Sequence, residues 1–126
     1  MKEKISVILV NYNGREFNDK CIASILNSTI KEQLHILIVD NASTDDSLDR
    51  LRKSWGSHVQ VDIVSLEKNY GFAGACNVGI RWSANRNINY YLLLNNDTEI
   101  ESDAIEKLYS CYKNKKAIIV PKILYA

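Results

Sequence analysis

The chain has 126 residues, with 16 basic and 15 acidic side chains and a formal charge of +1. A single domain of this length buries about two-thirds of its surface on folding, enough for a core without staples. With 46% apolar and 25% charged residues it is neither disordered nor collagenous, and its neutrality gives no bulk electrostatic reason to coat nucleic acid or an acidic membrane.

Three widely spaced cysteines, Cys21, Cys76 and Cys111, form no CxxC pair, and His35 and His58 are the only histidines. That composition argues against a disulfide framework or structural zinc and for a reducing, cytoplasmic compartment. The basic start followed by IleSerValIleLeuVal is superficially like a signal peptide. Six apolar residues are too few for one, so a buried strand is expected. No stretch approaches the ~20 apolar residues of a membrane span. The acceptor patterns at Asn27, Asn41 and Asn96 carry no weight, because an asparagine-rich chain produces such matches easily.

In chain order, apolar β-branched runs fall at Ile5–Val10, Leu34–Val39, Val59–Ser65, Tyr90–Leu94 and Ala117–Val120. Several are continuous, the pattern of strands buried on both faces. Helical stretches lie between them. Phe17, Cys21, Ile22, Ile25 and Leu26 share one face; Leu48, Leu51 and Trp55 follow Ser43 and Asp46, a capping-box-like start. A third stretch, Ala73–Asn85, is weakened by Gly74 and Gly79, and a fourth places Ile105, Leu108, Tyr109 and Tyr112 behind Ser102 as N-cap. This βαβαβαβαβ order predicts an α/β domain, a mostly parallel sheet with helices on both faces and right-handed crossovers. Sites in such sheets lie beyond the carboxyl ends of the strands. Four polar segments should therefore converge: Asn11–Gly14, Asp40–Ser43, Glu67–Gly74 and Asn95–Thr98.

Each segment has two readings. Asp40 either helps to cap the second helix or accepts a hydrogen bond from a ligand N–H or hydroxyl. The glycines at 71, 74 and 79 match neither GxGxxG nor a Walker loop. They serve either close helix-to-sheet packing or a backbone anion site. The cluster AsnAsnAspThrGlu at 95–99 is either a turn or an oxygen-rich site for Mg²⁺ or Mn²⁺. Cys21 is expected in the core, His35 as a structural histidine, and Trp55 and Trp82 on hydrophobic helix faces.

The ordered motifs ValAsnTyrAsnGly at 10–14, IleValAspAsnAlaSerThrAsp at 38–45, AsnTyrGlyPheAlaGlyAlaCysAsnValGly at 69–79 and LeuLeuAsnAsnAsp at 93–97 resemble the nucleotide-sugar-binding half of family 2 glycosyltransferases. The motifs resemble in particular the rhamnosyltransferase-like branch. The resemblance spans nearly the whole chain and implies a Rossmann-like GT-A domain over residues 1–126. It implies that Tyr12 packs on the nucleotide base, that Asp40 bonds the base, and that Asn69, Gly71 and Asn77 lie beside nucleotide and sugar. Asn96 would sit near the ribose, and Asp97 would hold a divalent cation, Mg²⁺ or Mn²⁺, bridging the diphosphate of a UDP- or dTDP-sugar, with dTDP-rhamnose the first choice. AsnAsnAsp carries one carboxylate where a full DxD motif has two, which weakens metal binding.

The same resemblance implies inverting transfer to a cell-surface glycan in a bacterium, at the inner face of the membrane in a longer enzyme. The acceptor-binding half, which supplies the catalytic base, is expected to be absent from these residues, and no residue here takes that role. Its loss should expose an apolar surface and favour self-association. Two other readings are a non-catalytic nucleotide-binding module and a flavodoxin-like signalling domain with Asp40 or Asp97 as phospho-acceptor. The latter lacks the acidic pair after the first strand, where Asn11 and Asn13 stand.

Overall fold

The computed structural model describes residues 3–115 and 117–119. Four parallel strands, β1 (Ile5–Asn11), β2 (Leu34–Asp40), β3 (Val61–Ser65) and β4 (Tyr90–Asn95), form a sheet in the order β3-β2-β1-β4. The helices are α1 (Asn18–Leu26), α2 (Ser47–Trp55), α3 (Gly71–Ala84) and α4 (Ala104–Lys115), with one 3₁₀ turn at Lys31–Gln33.

The central strands explain the continuous apolar runs. Ile5, Val7 and Leu9 of β1, with Leu34, Ile36 and Ile38 of β2, pack under Cys21, Ile22 and Ile25 of α1, Leu51 of α2 and Ile105 of α4. Ile8, Leu37 and Val39 point the other way and meet Ala75, Ile80 and Trp82 of α3. Helices thus cover both faces, as expected. The sheet grows one way from β1 to β3 and then returns to the far side of β1, so a right-handed third crossover must place α3 opposite α1 and α2. Gly79 lets α3 approach closely, since a Cβ there would stand 2.7 Å from Ile8 Cγ2. Packing is therefore the role of this glycine. Gly71 differs: its φ of +77° is a left-handed turn at the start of α3, with open space around it.

Four sequence expectations are corrected. β3 begins at Val61 rather than Val59, which is 91% exposed, because an edge strand does not draw its approach into the core. Ser43 and Asp46 do not cap α2; Asp45 Oδ1 accepts from the Ser47 N–H at 3.0 Å and from its hydroxyl, while Ser43 turns to Asp40. α4 starts at Ala104, and the Ser102 carbonyl instead accepts from the Thr29 N–H at 2.8 Å. The expected fifth strand, Ala117–Val120, is not seen at Ala117–Ile119, and Val120 lies outside the described residues. An apolar groove of about 530 Å³ runs along β4 and α4, where Leu93 is 44% exposed beside Tyr91 and Tyr112.

Candidate functional site

The order of strands reverses beside β1, so the carboxyl ends of β1 and β4 form the crevice where α/β sheets bind ligands. A cleft of about 260 Å³ opens there. Val10 and Tyr12 follow from β1, Asn95, Asn96 and Asp97 from β4, Asn41 from β2 and Phe72 from the first turn of α3. The Tyr12 and Phe72 rings are half exposed, a cost in water that a planar ligand would recover.

Of the expected site residues, Tyr12, Asn96 and Asp97 line this cleft. Asp40 does not. It is 1% exposed, and its carboxylate accepts from Asn11 Nδ2 at 2.7 Å, the Ser43 hydroxyl at 2.7 Å and the Ser43 N–H at 3.2 Å. These bonds hold the turn after β2, and none of them reaches the first residue of α2, so Asp40 does not cap that helix. Asn69 and Gly71 form the loop above: Asn69 Oδ1 accepts from the Gly71 N–H at 2.8 Å. Asn77 is exposed on α3 outside the cleft lining.

Sequence reading missed the residue at the centre. Asn11 is fully buried, and its Nδ2 lies within 3.1 Å of Asp40, Ser43 and Ser47 oxygens. Its Oδ1 accepts from the Gly14 N–H at 3.1 Å, Asn18 Nδ2 at 3.0 Å and Asn96 Nδ2 at 3.4 Å. One amide thus ties together β1, β2, β4 and the starts of α1 and α2. Asn41 was missed too. Its Oδ1 accepts from the Tyr70 N–H at 2.9 Å and its Nδ2 donates to the Gly71 carbonyl at 3.1 Å, fastening the loop that carries Phe72. The available signal was their place directly after apolar strands. Asn13 adds a third brace, with φ of 55° and its Oδ1 accepting from the Thr44 N–H at 2.8 Å.

Two of the three thiols, Cys21 and Cys76, are buried. Burial, helped by the Asp97 and Glu99 charges and opposed by a backbone bond from Thr98, pushes the Cys21 thiol up to about 11. Burial likewise raises Cys76. Neither is a nucleophile near neutral pH.

Among the described residues no group of three His, Cys, Asp or Glu could enclose a metal ion. The donor set fits a different kind of site. Asp97 is exposed at the cleft, next to the Asn96 amide. A single carboxylate suits Mg²⁺ or Mn²⁺, which keep water and take phosphate oxygens as further ligands.

Residues 6–126 match the sequence model described as glycosyl transferase family 2. The chain is 32% identical over 126 residues to the low-salt glycan biosynthesis hexosyltransferase Agl10 of Haloferax volcanii, covering 98% of this chain and 38% of that protein. It is 31% identical over 118 residues to a poly(ribitol-phosphate) beta-glucosyltransferase of Bacillus spizizenii, covering 92% of this chain and 18% of the relative. It therefore spans about two-fifths or less of these curated relatives. The fold is similar to that of S. aureus TarS 1-349 in complex with UDP, with a TM-score of 0.74 at 21% identity over 88% of this chain and 32% of that one. It is also similar to the mannosyltransferase PcManGT of Pyrobaculum calidifontis in complex with GDP-Man and Mn²⁺, with a TM-score of 0.65 at 20% identity over 77% and 28% of the two chains. With the parallel sheet, the cleft at its strand ends and the family match in place, the chain belongs to glycosyl transferase family 2 and has the α/β architecture of GT-A enzymes.

Proposed function

We propose that the cleft binds the nucleoside diphosphate of a UDP- or dTDP-sugar, dTDP-rhamnose being the first candidate. The whole protein would transfer the sugar with inversion to a cell-surface glycan at the inner face of the membrane. The observation that carries this reading is the cleft at the β1 and β4 ends, where two half-exposed rings, Tyr12 and Phe72, share the lining with Asn96 and the exposed carboxylate of Asp97. The flat rings take the base and the acceptor oxygens stand where diphosphate and cation would meet. Relatives in complex with UDP, or with GDP-Man and Mn²⁺, lend support.

In this reading Tyr12 stacks on the base and Phe72 closes over it. Asp40 acts from beneath, holding the turn from which Asn41 faces the cleft. Asn69 and Gly71 shape the loop above the diphosphate, and Asn77, outside the cleft lining, would meet only a sugar that extends beyond it. Asp97 would hold the cation, which when bound neutralises charge developing on the departing diphosphate. The residues of this chain do the rest by binding and orienting the donor. The buried carboxylate of Asp40 speaks against its use as a phospho-acceptor. The apolar groove beside β4 is the surface we assign to the acceptor-binding half. Among the described residues, no helix is long and apolar enough to cross a membrane.

The test is thermal melting with ligands. Mn²⁺ alone should raise the melting temperature little, and Mn²⁺ with UDP or dTDP should raise it more, by linkage. Asp97→Asn should remove the metal-dependent part and leave the ligand-free melt unchanged. A mutant that keeps the full metal-dependent rise overturns the assignment of Asp97.

A further inference from the structure

We propose that Asp40, Asn11 and Asn18 are positioning residues that turn the Asn96 amide so that its oxygen, not its nitrogen, faces the cleft beside Asp97. The proposal deepens the reading of the cleft as a metal-assisted nucleoside-diphosphate site and rests on it.

The two ends of a carboxamide are nearly the same shape, so only partners of fixed polarity decide which end points where. Asn11 has two such partners. The Asp40 carboxylate accepts and lies 2.7 Å from Asn11 Nδ2; the Gly14 backbone N–H donates and lies 3.1 Å from Asn11 Oδ1. Asn11 is thereby locked. Its Oδ1 then takes Asn18 Nδ2 at 3.0 Å, which leaves Asn18 Oδ1 to accept from Asn96 Nδ2 at 2.9 Å. Asn96 Nδ2 also reaches Asn11 Oδ1 at 3.4 Å. Both N–H bonds of the Asn96 amide are thus spent inward, and its oxygen is what remains for the cleft that Asn96 lines.

The polarity has a chemical consequence. With oxygen outward, Asn96 and Asp97 form a surface that only accepts, suited to a hard cation or a sugar hydroxyl. Turned the other way, Asn96 would aim an NH₂ group at the cation. Backbone geometry supports the relay independently. A Cβ on Gly14 would run into Asn96 Nδ2 and stand 2.7 Å from Asn11 Oδ1, so the chain leaves a side chain out where the three amides meet. The relay also explains a buried carboxylate at 40 that does not line the cleft: it sets the direction of every amide after it.

Calorimetric titration with dTDP or UDP, with and without Mn²⁺, tests this on the parent, Asn18→Asp and Asn18→Leu. The aspartate gives up the bond to Asn11 Oδ1 but still accepts from Asn96, while Asp40 and Gly14 keep Asn11 locked, so it should lose clearly less of the metal-dependent gain in affinity than the leucine variant. The leucine frees the Asn96 amide and should cut that gain roughly tenfold, the worth of one bond to a charged group. Metal-free nucleotide affinity should fall less than the metal-dependent gain does, whereas a general loss of structure would lower both alike. Equal losses in both variants, or none in the leucine variant, overturn the relay. A parent with no metal-dependent gain overturns the cleft reading itself and the relay with it. Should the leucine variant fail to fold, side-chain amide exchange by NMR in the parent decides. Slow exchange of the Asn96 amide protons is expected, and exchange at the rate of a free amide overturns the proposal.

Discussion

Asn41→Ala should loosen the roof of the cleft while leaving the sheet intact. Asn41 is 2% exposed and makes two bonds to the loop before α3, with the Tyr70 N–H and the Gly71 carbonyl. Each such bond contributes about 1 kcal/mol net. Tyr70 and Gly71 are themselves exposed, so water replaces the lost partner and no penalty for a buried unpaired group is added. The expected loss is about 2 kcal/mol. For 126 residues, at roughly 4 °C per kcal/mol, the melting temperature should fall by about 8 °C. Binding suffers separately, because Phe72 follows Gly71 and lines the cleft. Ligand must then order the freed loop, and fixing even one residue costs about 1–2 kcal/mol, or roughly tenfold in affinity. Thermal melts and calorimetric titration with UDP or dTDP read the two effects. Phe72→Ala is the control, since it removes the ring yet keeps both Asn41 bonds, and should lose affinity with little change in melting. An Asn41→Ala protein that melts within about 2 °C of the parent and binds as tightly would refute the reasoning.

Two further outcomes follow from the packing. His35 stacks on Trp82 with ring centroids 5.5 Å apart, and burial holds its pKa below 6.5, against Asp62, whose Oδ2 is 3.0 Å from Nε2. Below that pH the unfolded chain binds more protons than the folded one, so stability should fall as pH drops from about 7 to 5. His35→Gln should flatten this limb in urea unfolding, and an unchanged slope would count against it. Gly79→Ala would set a Cβ 2.7 Å from Ile8 Cγ2 and 3.4 Å from Val39 Cγ2. Overpacking of about 1–3 kcal/mol outweighs the ~1 kcal/mol gain in helix propensity; a variant more stable than the parent would show that α3 can move away at no cost.

The fold was legible because burial on two faces writes itself into sequence. β1 and β2 serve both core layers, so their runs are unbroken, and alternation with helices left few topologies. The edges were less legible. Val59 belongs to an apolar run yet is almost fully exposed, since β3 has a neighbour on one side only. Capping failed for a different reason. Ser43, Asp45 and Asp46 are all good caps by type, and the choice of Asp45 follows from Ser43 being drawn to Asp40 and Asn11, a tertiary demand. The polar strand-end segments converge as expected because parallel strands bring their carboxyl ends to one edge of the sheet. Asn11 was passed over because nothing in its neighbours along the chain reveals that six partners meet on one amide.

The accuracy of that amide network is inherited from the core. In the parallel ladder Val7 pairs with Ile36, Ile8 with Leu37 and Leu9 with Ile38, and the same register sets Asn11 beside Asp40. On the other side Val10 stands beside Asn95. A slip of one residue would turn every apolar side chain of a strand to the wrong face, an error the two-sided core strongly opposes. The same slip would carry Asp40 away from Asn11, and no local interaction at the strand ends would need to prevent it. A buried polar cluster is costly when any member is unpaired. Asn11 escapes that cost because apolar residues one strand-length away fix its partners to within hydrogen-bonding distance. Core packing and ligand chemistry are therefore not separate regions of this domain. The alignment that excludes water from Ile8 and Leu37 also decides which atom of Asn96 meets the ligand.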